Sequence, residues 1–553
     1  MVQKLAEGVR RDGGANRATI NLADIGSKGD HPQNASRDLG RKIRHLMEHS
    51  HLEPYEVTLL TRDKQGRLTE ADEHMIIPHD VIHELYKSDR ETFSKAFVGS
   101  GDNRSYWSNV MGEPWFVEHP YRAAILQNID FSIPRRIWGD GATVNKSWKL
   151  FVVTFESIMS ALGPTLLSRY LAFAVALHRF VNLGPLWRVL GWSLKVLASG
   201  RMPCLDHLGR AFKEGSKRWL ASGQQICGEC CFFLSQFSGD LVFLMLEQGC
   251  NFNDVCFLCH ATKAFGDMCA YNFQPEAPWM FTRRCHHQYM IGPGGGCDIA
   301  QHLPGWHLGM VKMDLMHGLH QGCLPIINGS AMHFVLERNY FGGPTTGEWR
   351  NRWGQQLVSA FAQFSAFLKC HKITCSHVRF TIAQLSLGSL QNPPNLKAKA
   401  GNSMLISRWL LSIFLRLAVQ SPCEKNELIA TSLWGWVSAI DLLKSFPMFL
   451  NAEQQAQIEQ CRIAALGSHS VLCCRSIAEG RQQFRTIPKH HSCDHLLRDR
   501  RNPTHSWTFA DEDFIGRLVR MSRRSSNTKT IISKYLLRLH LVVNINKEGA
   551  PQL

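Results

Sequence analysis

The sequence predicts an α/β fold in which strands dominate the first half of the chain and helices the second. Short runs of β-branched and aromatic residues, of which residues 150–155 are the purest, are typical of buried strands. Segments with apolar residues at helical spacing follow one another from residue 348 onwards. A length of 553 residues with 44% hydrophobic and 20% charged residues indicates an ordinary globular protein with several domains.

Changes in composition divide the chain into four predicted regions. Residues 1–50 are polar and lack periodicity, which is typical of a disordered leader. Residues 51–130 are expected to form an N-terminal α/β accessory region. Residues 131–420 are expected to form the core, with a Cys/His-rich insertion at about 250–305. Residues 421–553 are expected to form a helical C-terminal region that ends in a basic tail.

The elements themselves are predicted from local pattern. Alternating apolar residues predict a strand at 53–61, and a helix follows at 81–97 with Asp80 as its N-cap. Residues 157–200 are predicted to form two helices that cover one face of the sheet. Further helices are expected at 315–338, 348–368, 397–419, 427–446 and 451–466, the last with Asn451 as its N-cap.

Three acids stand in apolar surroundings, where a carboxylate is costly unless it ends a strand or binds a cation. Asp140 lies between two glycines, Asp240 follows Gly239 between two apolar runs, and Asp314 precedes His317 by three positions. Carboxylates from separate elements can hold two divalent cations roughly 3.5 to 4 Å apart for phosphoryl transfer. The alternative for each acid is an ordinary turn residue, such as a Gly-Asp-Gly hairpin turn at Asp140.

Cysteine and histidine spacing indicates a zinc site. Cys256 and Cys259 form a C-x2-C pair, which supplies two of the four ligands of a tetrahedral zinc ion. Cys285 with His286, or with the adjacent His287, is the expected completion. The cysteines at 227, 230 and 231 compete for the same role, and buried free thiols are the structural alternative.

The charge balance is basic, with 62 Lys and Arg against 46 Asp and Glu, and suits a phosphate backbone or an acidic partner. Basic residues that alternate with aromatic residues are candidates for the lining of a DNA groove. Solvated surface charge is the other interpretation of the same residues. These DNA-binding candidates are Arg135, Arg136, Lys146, Lys149 and Arg218.

Several classes of protein are disfavoured. No N-terminal segment resembles a secretory signal, and 18 irregularly spaced cysteines favour a reducing compartment over a disulfide framework. The apolar stretch at 157–181 contains three basic or histidine residues and a Gly-Pro pair, so a buried helix is favoured over a membrane span. Motifs of nucleotide-binding loops, serine hydrolases and zinc proteases are missing from the sequence.

Five short motifs together resemble a known family. They are WGDGATV from residue 138, FSGDLVF from 237, CFLC from 256, MDLMH from 313 and LKAKAGN from 396. This set is similar to the transposase domain of CACTA (En/Spm-type) DNA transposons, and still more to multi-copy transposon-derived proteins of some protist genomes. The resemblance covers about residues 75–540.

The resemblance implies a ribonuclease-H-like core that uses three acids with Mg²⁺ or Mn²⁺. Asp140 and Asp240 would be the first two acids, whereas Asp314 and His317 would brace the core or the DNA. The implied partner is double-stranded DNA at transposon ends, with homo-oligomers as an option and the nucleus as the implied location.

The third acid departs from the family pattern. The position where similar sequences carry Glu is Asn402 here, which would hold a divalent ion less well than a carboxylate. Glu348 is the fallback third acid. Loss of that carboxylate would leave DNA binding possible, with catalysis impaired or lost. The rival functions are therefore a non-catalytic, zinc-stabilised DNA-binding or interaction protein, and a metal-dependent nuclease unrelated to transposition.

Overall fold

The computed structural model describes residues 52–539, apart from gaps at 63–64, 100, 146–147, 163–167, 177–179, 248–254, 265, 292–296, 390, 524–530, 533–534 and 537–538. Its centre is one seven-stranded mixed sheet in the order β1-β2-β5-β4-β3-β6-β7. The strands are β1 (Tyr55–Arg62), β2 (Leu68–Met75), β3 (Ser132–Asn145), β4 (Trp148–Ser157), β5 (Tyr170–Ala176), β6 (Cys231–Gly239) and β7 (Val311–Met313).

Strand direction divides the sheet into two parts. Strands β3, β4 and β5 pair antiparallel, as expected for a chain that turns directly from one strand to the next. Strands β6 and β7 each run parallel to their neighbour, so β3, β6 and β7 all point the same way. The carboxyl ends of these three strands therefore meet at one edge of the sheet.

Helices cover the sheet and build most of the second half of the chain. Those before β7 are α1 (Pro78–Ser88), α2 (Arg90–Phe93), α3 (Asn103–Val110), α4 (Pro114–Val117), α5 (Arg122–Gln127), α6 (Gly184–Ser199), α7 (Lys217–Ala221), α8 (Leu241–Glu247), α9 (His286–Ile291) and α10 (Asp298–His302). Those after β7 are α11 (Leu324–Glu337), α12 (Trp349–Cys370), α13 (Ala400–Gln420), α14 (Glu424–Ser445), α15 (Ala452–Arg462), α16 (Ser468–Ala478), α17 (Pro488–Leu497) and α18 (Phe509–Ser522).

The core lies where the helices cover the sheet. Every residue of β5 is buried, as is every residue of β4 after its first two. Trp187 of α6 packs edge-on against Phe173 of β5 at 5.4 Å between ring centroids, and also contacts Phe237 of β6. A strand buried on both faces needs apolar residues at consecutive positions, which explains the continuous apolar runs in the sequence.

The predicted fold class is confirmed at the level of a mixed α/β protein, and most predicted elements are present. The strand at 53–61 corresponds to β1, and the helices predicted from 348 onwards correspond to α12, α13, α14 and α15. Asn451 caps α15 through a capping box with Gln454. These elements have strong local signals in the form of alternation, helical spacing or a capping residue.

Two local predictions are wrong. Residues 157–200 do not form two helices, because the first half contains β5, whose run of apolar residues has no helical periodicity. The helix predicted at 81–97 is present but begins earlier, at Pro78, and is interrupted at Asp89, after which α2 and a π-helical turn at Ser94–Val98 complete it; the predicted N-cap at Asp80 is wrong. Asp80 lies in the first turn of α1 and Ile77 takes the N-cap position, because proline is well tolerated at the first position of a helix.

Helix α13 is the one helix in the described ranges whose length and composition would allow it to cross a membrane, and half of its most apolar window is buried inside the protein. It packs against α11 and α14, with Ile406, Leu410 and Phe414 inaccessible to solvent. That burial is typical of a core helix of a globular protein.

A buried ion network ties α18 to the sheet. Arg136 of β3 pairs with Glu156 of β4 and, at 2.7 Å, with Asp511 of α18. Arg169 contacts the same two carboxylates at 2.7 and 3.2 Å. Two cations therefore balance two anions in a region that excludes water, where leaving any one of them unpaired is costly.

Replacing Asp511 should test the strength of this anchor. Asp511→Ala leaves Arg136 and Arg169 with one carboxylate between them, and we expect the free energy of unfolding to fall by about 3 to 5 kcal/mol. Asp513→Ala is the matched control, because the pair of Asp513 with Arg517 is exposed and should contribute no more than about 1 kcal/mol. Urea unfolding of both variants would measure the difference, and equal losses would contradict the anchor.

Candidate functional site

The parallel pairing of β3 with β6 places two acids side by side, Asp140 within β3 and Asp240 just after β6. Gly139 and Gly239 are paired in the parallel register of these strands, so Asp140 and Asp240 are the next residues along the two adjacent segments. Strand β3 continues past Asp140 to Asn145, and Asp140 is therefore in a strand and not in a hairpin turn. Adjacent strands lie about 4.8 Å apart, which brings the two side chains to the same edge of the sheet.

The glycine before each acid is required by a phenylalanine ring. The ring of Phe243, in the first turn of α8, lies against both Gly139 and Gly239. A Cβ atom at Gly139 would come 2.3 Å from this ring, and one at Gly239 would come 2.2 Å from it. The same helix is capped by Asp240, whose Oδ1 accepts a hydrogen bond of 2.6 Å from the backbone N–H of Phe243. In each Gly-Asp pair the glycine therefore allows the ring of Phe243 to pack closely, and the aspartate that follows lies at the edge of the sheet.

Asp314 follows β7 and organises the next part of the site. Its buried carboxylate accepts hydrogen bonds from the backbone N–H groups of Met316 and His317 and, at 2.6 Å, is bonded to Nδ1 of His317. It also accepts bonds from the backbone N–H and hydroxyl of Thr508, at 3.0 and 2.6 Å. Asp314 therefore fixes the ring of His317 and joins β7 to the residue that precedes α18.

Helix α18 supplies a third carboxylate that sequence reasoning missed. Glu512 lies in its first turn, and Oε1 is 3.3 Å from Nε2 of His317. Potential ligand atoms of Asp140, His317 and Glu512 lie within 4.8 Å of one another, a spacing that can hold a metal ion. The site thus gathers carboxylates from β3, from the end of β6 and from α18, beside one histidine.

Burial and neighbouring charges shift the pKa values of Asp140 and His317 in this cluster. Burial, followed by the negative charges of Asp240 and Glu512, raises the pKa of Asp140 to about 8. Burial lowers the pKa of His317, but its hydrogen bonds to Asp314 and Glu512 outweigh that effect and raise the pKa to about 10. A carboxyl group whose pKa is raised by two neighbouring carboxylates belongs to a donor set suited to a divalent cation, which would relieve the repulsion at Asp140.

The two sequence candidates for a third acid have other contacts. Asn402, near the start of α13, exchanges hydrogen bonds with Ser376 and accepts one from the thiol of Cys375. Glu348 takes the N-cap position of α12, where its side chain is more than half exposed and lies 3.8 Å from Arg350. Glu348 does not belong to the group of potential ligand atoms around Asp140, and Asp240 is outside that group too, although it occupies the adjacent position just after β6.

The basic residues proposed to line a DNA groove have mixed placements. Arg135 and Arg136 are buried, so that assignment is wrong for both, because a buried guanidinium cannot contact a phosphate in solution. Arg218 is bound to Asp80, with Nη2 2.9 Å from Oδ2, and its guanidinium lies over the ring of Tyr55. Lys149 is exposed on β4, and Lys146 lies outside the described residues.

A second centre is a buried Cys2His2 group that can hold a metal such as zinc. It joins Cys256 and Cys259 to His491 and His495 of α17. Sγ of Cys259 lies 3.2 Å from Nε2 of His491, Sγ of Cys256 lies 3.5 Å from Nε2 of His495, and the two Nε2 atoms are 3.1 Å apart. Tetrahedral zinc with its usual bond lengths requires N–N and N–S separations of about 3.3 and 3.5 Å.

The surroundings of this centre fix its ligands. Nδ1 of His491 lies 3.0 Å from the carbonyl oxygen of Ala270, which leaves Nε2 directed at the thiols. Trp279 packs edge-on against both imidazoles, at 4.3 and 5.1 Å between centroids. A hydrogen bond from Cys256, with further ones from His491 and His495, lowers the pKa of Cys259 despite its burial. A thiolate is the form that binds zinc.

The expected completion by Cys285 and His286 is wrong, because the four-atom group contains neither residue. Cys285 is exposed, and His286 stacks on His307 at 4.1 Å between centroids. The ligands used instead are an H-x3-H pair, which a helix places on one face. That spacing is visible at 491–495 in the sequence, whereas Glu512 has no local signal because it belongs to an ordinary amphipathic helix.

No known family model matches the chain, and no curated protein sequence matches it.

The zinc centre can be tested by metal analysis. We expect one zinc per chain, and we expect Cys256→Ser and His491→Ala to lower the zinc content to about a tenth or less, because each removes one of four ligands. Cys285→Ser and His286→Ala are matched controls that should keep the metal. Elemental analysis of the purified proteins gives the result. Zinc that survives His491→Ala, or is lost in Cys285→Ser, would refute this ligand set.

The carboxylate site should show a characteristic pH dependence. Because its pKa is about 8 instead of its usual value near 4, Asp140 favours the folded state at low pH and loses that contribution as pH rises towards 8. The melting temperature of the metal-free protein should therefore fall between about pH 4 and pH 8 and level off above that. Asp140→Asn should flatten this fall, because the amide does not ionise.

Added Mg²⁺ should raise the melting temperature more at pH 9 than at pH 6, because protons compete with the cation for Asp140. Calorimetry with and without Mg²⁺ measures the difference. A Mg²⁺ effect that does not depend on pH, or that persists in Asp140→Asn, would show that the cation binds elsewhere.

Proposed function

We propose that this protein cleaves DNA and transfers DNA strands by a metal-dependent reaction of the DDE/D transposase type. Asp140, Asp240 and Glu512 would be its three acids, on a ribonuclease-H-like core. The observation that carries the proposal is the convergence of these carboxylates, from residues 372 positions apart in the chain, on one edge of the sheet.

Glu512 removes the main objection raised by the sequence. Asn402 lacks the charge that a third ligand needs, and its contacts with Cys375 and Ser376 give it a packing role. Glu512 of α18 supplies this third negative charge from a different part of the chain. The three parallel strand ends and the resemblance of the Gly-Asp motifs to CACTA transposases support the same interpretation.

The residues around the acids suit phosphodiester chemistry. Mg²⁺ or Mn²⁺ bound there would stabilise the attacking and leaving oxygens of an in-line displacement by water or a 3′-hydroxyl. Asp314 holds the ring of His317, and His317 in turn orients a carboxylate oxygen of Glu512. This second layer keeps Glu512 aligned when the charge of the site changes, as supporting hydrogen bonds do in metal sites.

A DNA substrate is supported by the charge around the cluster. The formal net charge is +16, Arg517 and Arg520 lie on the same helix as Glu512, and Arg523 follows its last residue. Lys149 is exposed on β4, one strand away from β3. Cationic side chains beside an acidic metal site can hold the phosphates that flank the scissile bond.

The second candidate is a non-catalytic, zinc-stabilised DNA-binding protein, and the Cys2His2 centre is the observation that favours it. This centre joins the insertion to α17 and would stabilise the fold whether or not the carboxylates act. The two candidates make the same prediction for DNA binding and opposite predictions for cleavage.

A cleavage assay on the wild-type protein separates these candidates, and substitution of the acids identifies the ligands. The assay uses a labelled duplex made from the DNA termini that flank the coding sequence, and a supercoiled plasmid, each with Mg²⁺ or Mn²⁺. Wild-type protein should cut, and Asp140→Asn, Asp240→Asn and Glu512→Gln should each lower the rate at least about 100-fold, as expected for loss of a metal ligand. Glu348→Gln is the matched control and should cut at the wild-type rate.

Each other outcome has a definite meaning. Duplex binding without cleavage in the wild-type protein would support the non-catalytic candidate. Loss of cleavage in Glu348→Gln with retention in Glu512→Gln would assign the third acid to Glu348. Cutting of plasmid and duplex without preference for the termini would indicate a nuclease unrelated to transposition.

A further inference from the structure

A large cleft in the helical half of the chain belongs to neither metal centre. It lies where the end of α11, the first turns of α12, the start of α14 and the end of α16 meet, and its volume is about 850 Å³. Its lining residues are not part of the acidic cluster or of the Cys2His2 group. Ligand cavities in proteins measure about 300 to 1,000 Å³, so this cleft has the size that a small organic molecule needs.

The described lining of the cleft carries more positive than negative charge. It contains four cationic side chains and two carboxylates. Two of the cations are paired: Nη1 of Arg481 lies 2.8 Å from Oε2 of Glu337, and Nζ of Lys425 lies 2.5 Å from Oε1 of Glu479. Both carboxylates are therefore balanced, and the two remaining cations are arginines. An excess of two positive charges around a cavity suits a ligand with two negative charges.

The two remaining arginines are Arg338 and Arg352. Nη1 of Arg352 donates to the carbonyl oxygen of Thr345 at 3.0 Å, and Nη1 of Arg338 donates to that of Phe334 at 3.2 Å. These contacts orient the guanidinium groups without neutralising them. Nε of Arg352 is buried and has no hydrogen-bond partner among the described residues. Guanidinium groups bind phosphate through paired N–H donors, so both arginines are suited to a phosphate group.

Gln356 adds a hydrogen-bond acceptor to the cleft. Its side chain lines the cleft and is only 2% exposed. Nε2 donates to the carbonyl oxygen of Leu336 at 3.2 Å, which fixes the orientation of the amide because a carbonyl oxygen can only accept. Oε1 is left buried and without a partner within the described ranges. A buried acceptor of this kind is costly unless a donor reaches it, so the fitting ligand carries an N–H or O–H group.

The loop between α11 and α12 forms one side of the cleft. It follows a backbone path with φ of +49° at Asn339 and +142° at Gly343, values that asparagine and glycine tolerate best. Next to the loop, Trp353 and Phe334 contribute aromatic surface to the lining. A ligand in this cleft therefore meets charge, a single amide acceptor and an apolar wall.

We propose that this cleft binds a nucleoside monophosphate whose base carries an amino group, such as AMP. The phosphate group has close to two negative charges at neutral pH and binds to Arg338 and Arg352. The amino group of the base donates to Oε1 of Gln356, and the base packs against the aromatic wall. This site is separate from the carboxylate cluster, so the proposal stands whether or not the protein cleaves DNA.

Calorimetric titration of the full-length protein with AMP tests the ligand class. AMP should bind, and adenosine should bind at least about tenfold more weakly because it lacks the charges that the arginines hold. Purine riboside 5′-monophosphate lacks the amino group and should bind about tenfold more weakly than AMP, because Oε1 of Gln356 would stay unpaired. Competition by a 5′-phosphorylated single strand would identify the end of a DNA strand as the source of the nucleotide, and failure to compete would identify the free nucleotide; the site is supported in both cases.

Glutamine variants identify the arginines. Arg352→Gln and Arg338→Gln should each weaken AMP binding at least about tenfold, since each removes one charged donor group. Arg338 is exposed, so its replacement keeps the test decisive even if Arg352→Gln alters the local fold. Arg350→Gln is the matched control, because Arg350 lies on the same helix, faces Glu348 and does not line the cleft.

Four results would overturn the proposal. They are the absence of binding heat with millimolar AMP, equal affinity for adenosine and AMP, wild-type affinity in both Arg338→Gln and Arg352→Gln, and an equal loss of affinity in Arg350→Gln. Equal binding of AMP and purine riboside 5′-monophosphate would overturn the contact with Gln356.

Discussion

The carboxylate of Asp314 is the contact on which the arrangement of the acidic site depends. It accepts hydrogen bonds from both sides, from the turn that carries His317 and from Thr508 before α18. Burial raises the pKa of Asp314, but its hydrogen bonds with His317 and Thr508 outweigh burial and lower the pKa overall, so the group stays ionised at neutral pH. A charged acceptor inside the protein thus holds two elements that sequence places almost 200 positions apart.

Two buried polar connections hold the helical second half of the chain against the first half. One is the ion network of Arg136, Arg169, Glu156 and Asp511, together with the Thr508 contact. The other is the Cys2His2 centre, which joins α17 to the insertion. Both are polar contacts in regions without water, where their satisfied geometry specifies one docking of the helices and an incomplete geometry would be strongly unfavourable.

Much of the fold, and part of the site, could be predicted from the sequence. The positions of Asp140 and Asp240 follow from an acid after a glycine in apolar surroundings, since only a strand end or a cation site accepts that pattern. The strand β5 was predicted as a helix because its continuous apolar run has no period, and burial on both faces removes the alternation that marks a strand.

The site residues that the sequence analysis missed were missed for one reason, which is their distance along the chain from the residues they contact. Glu512, His491 and His495 contact residues that lie 195 or more positions away, and no local pattern records which distant helix will face a given strand. The H-x3-H spacing offered a signal for the zinc ligands, because it matches the C-x2-C pair in chemistry. The sequence contains no comparable signal for Glu512, and only the packing of α18 on β3 shows that this residue belongs to the site.

The distance along the chain between β3 and α18 also sets when the acidic edge can be completed in a cell. Arg136 and Asp511 are separated by 375 positions. A ribosome that adds about 5 to 20 residues per second needs roughly 20 to 75 s to cover that interval. For much of that time the strand that bears Asp140 is already made while α18 is not, and once Asp240 has followed, a nascent chain carries both of these acids without Glu512.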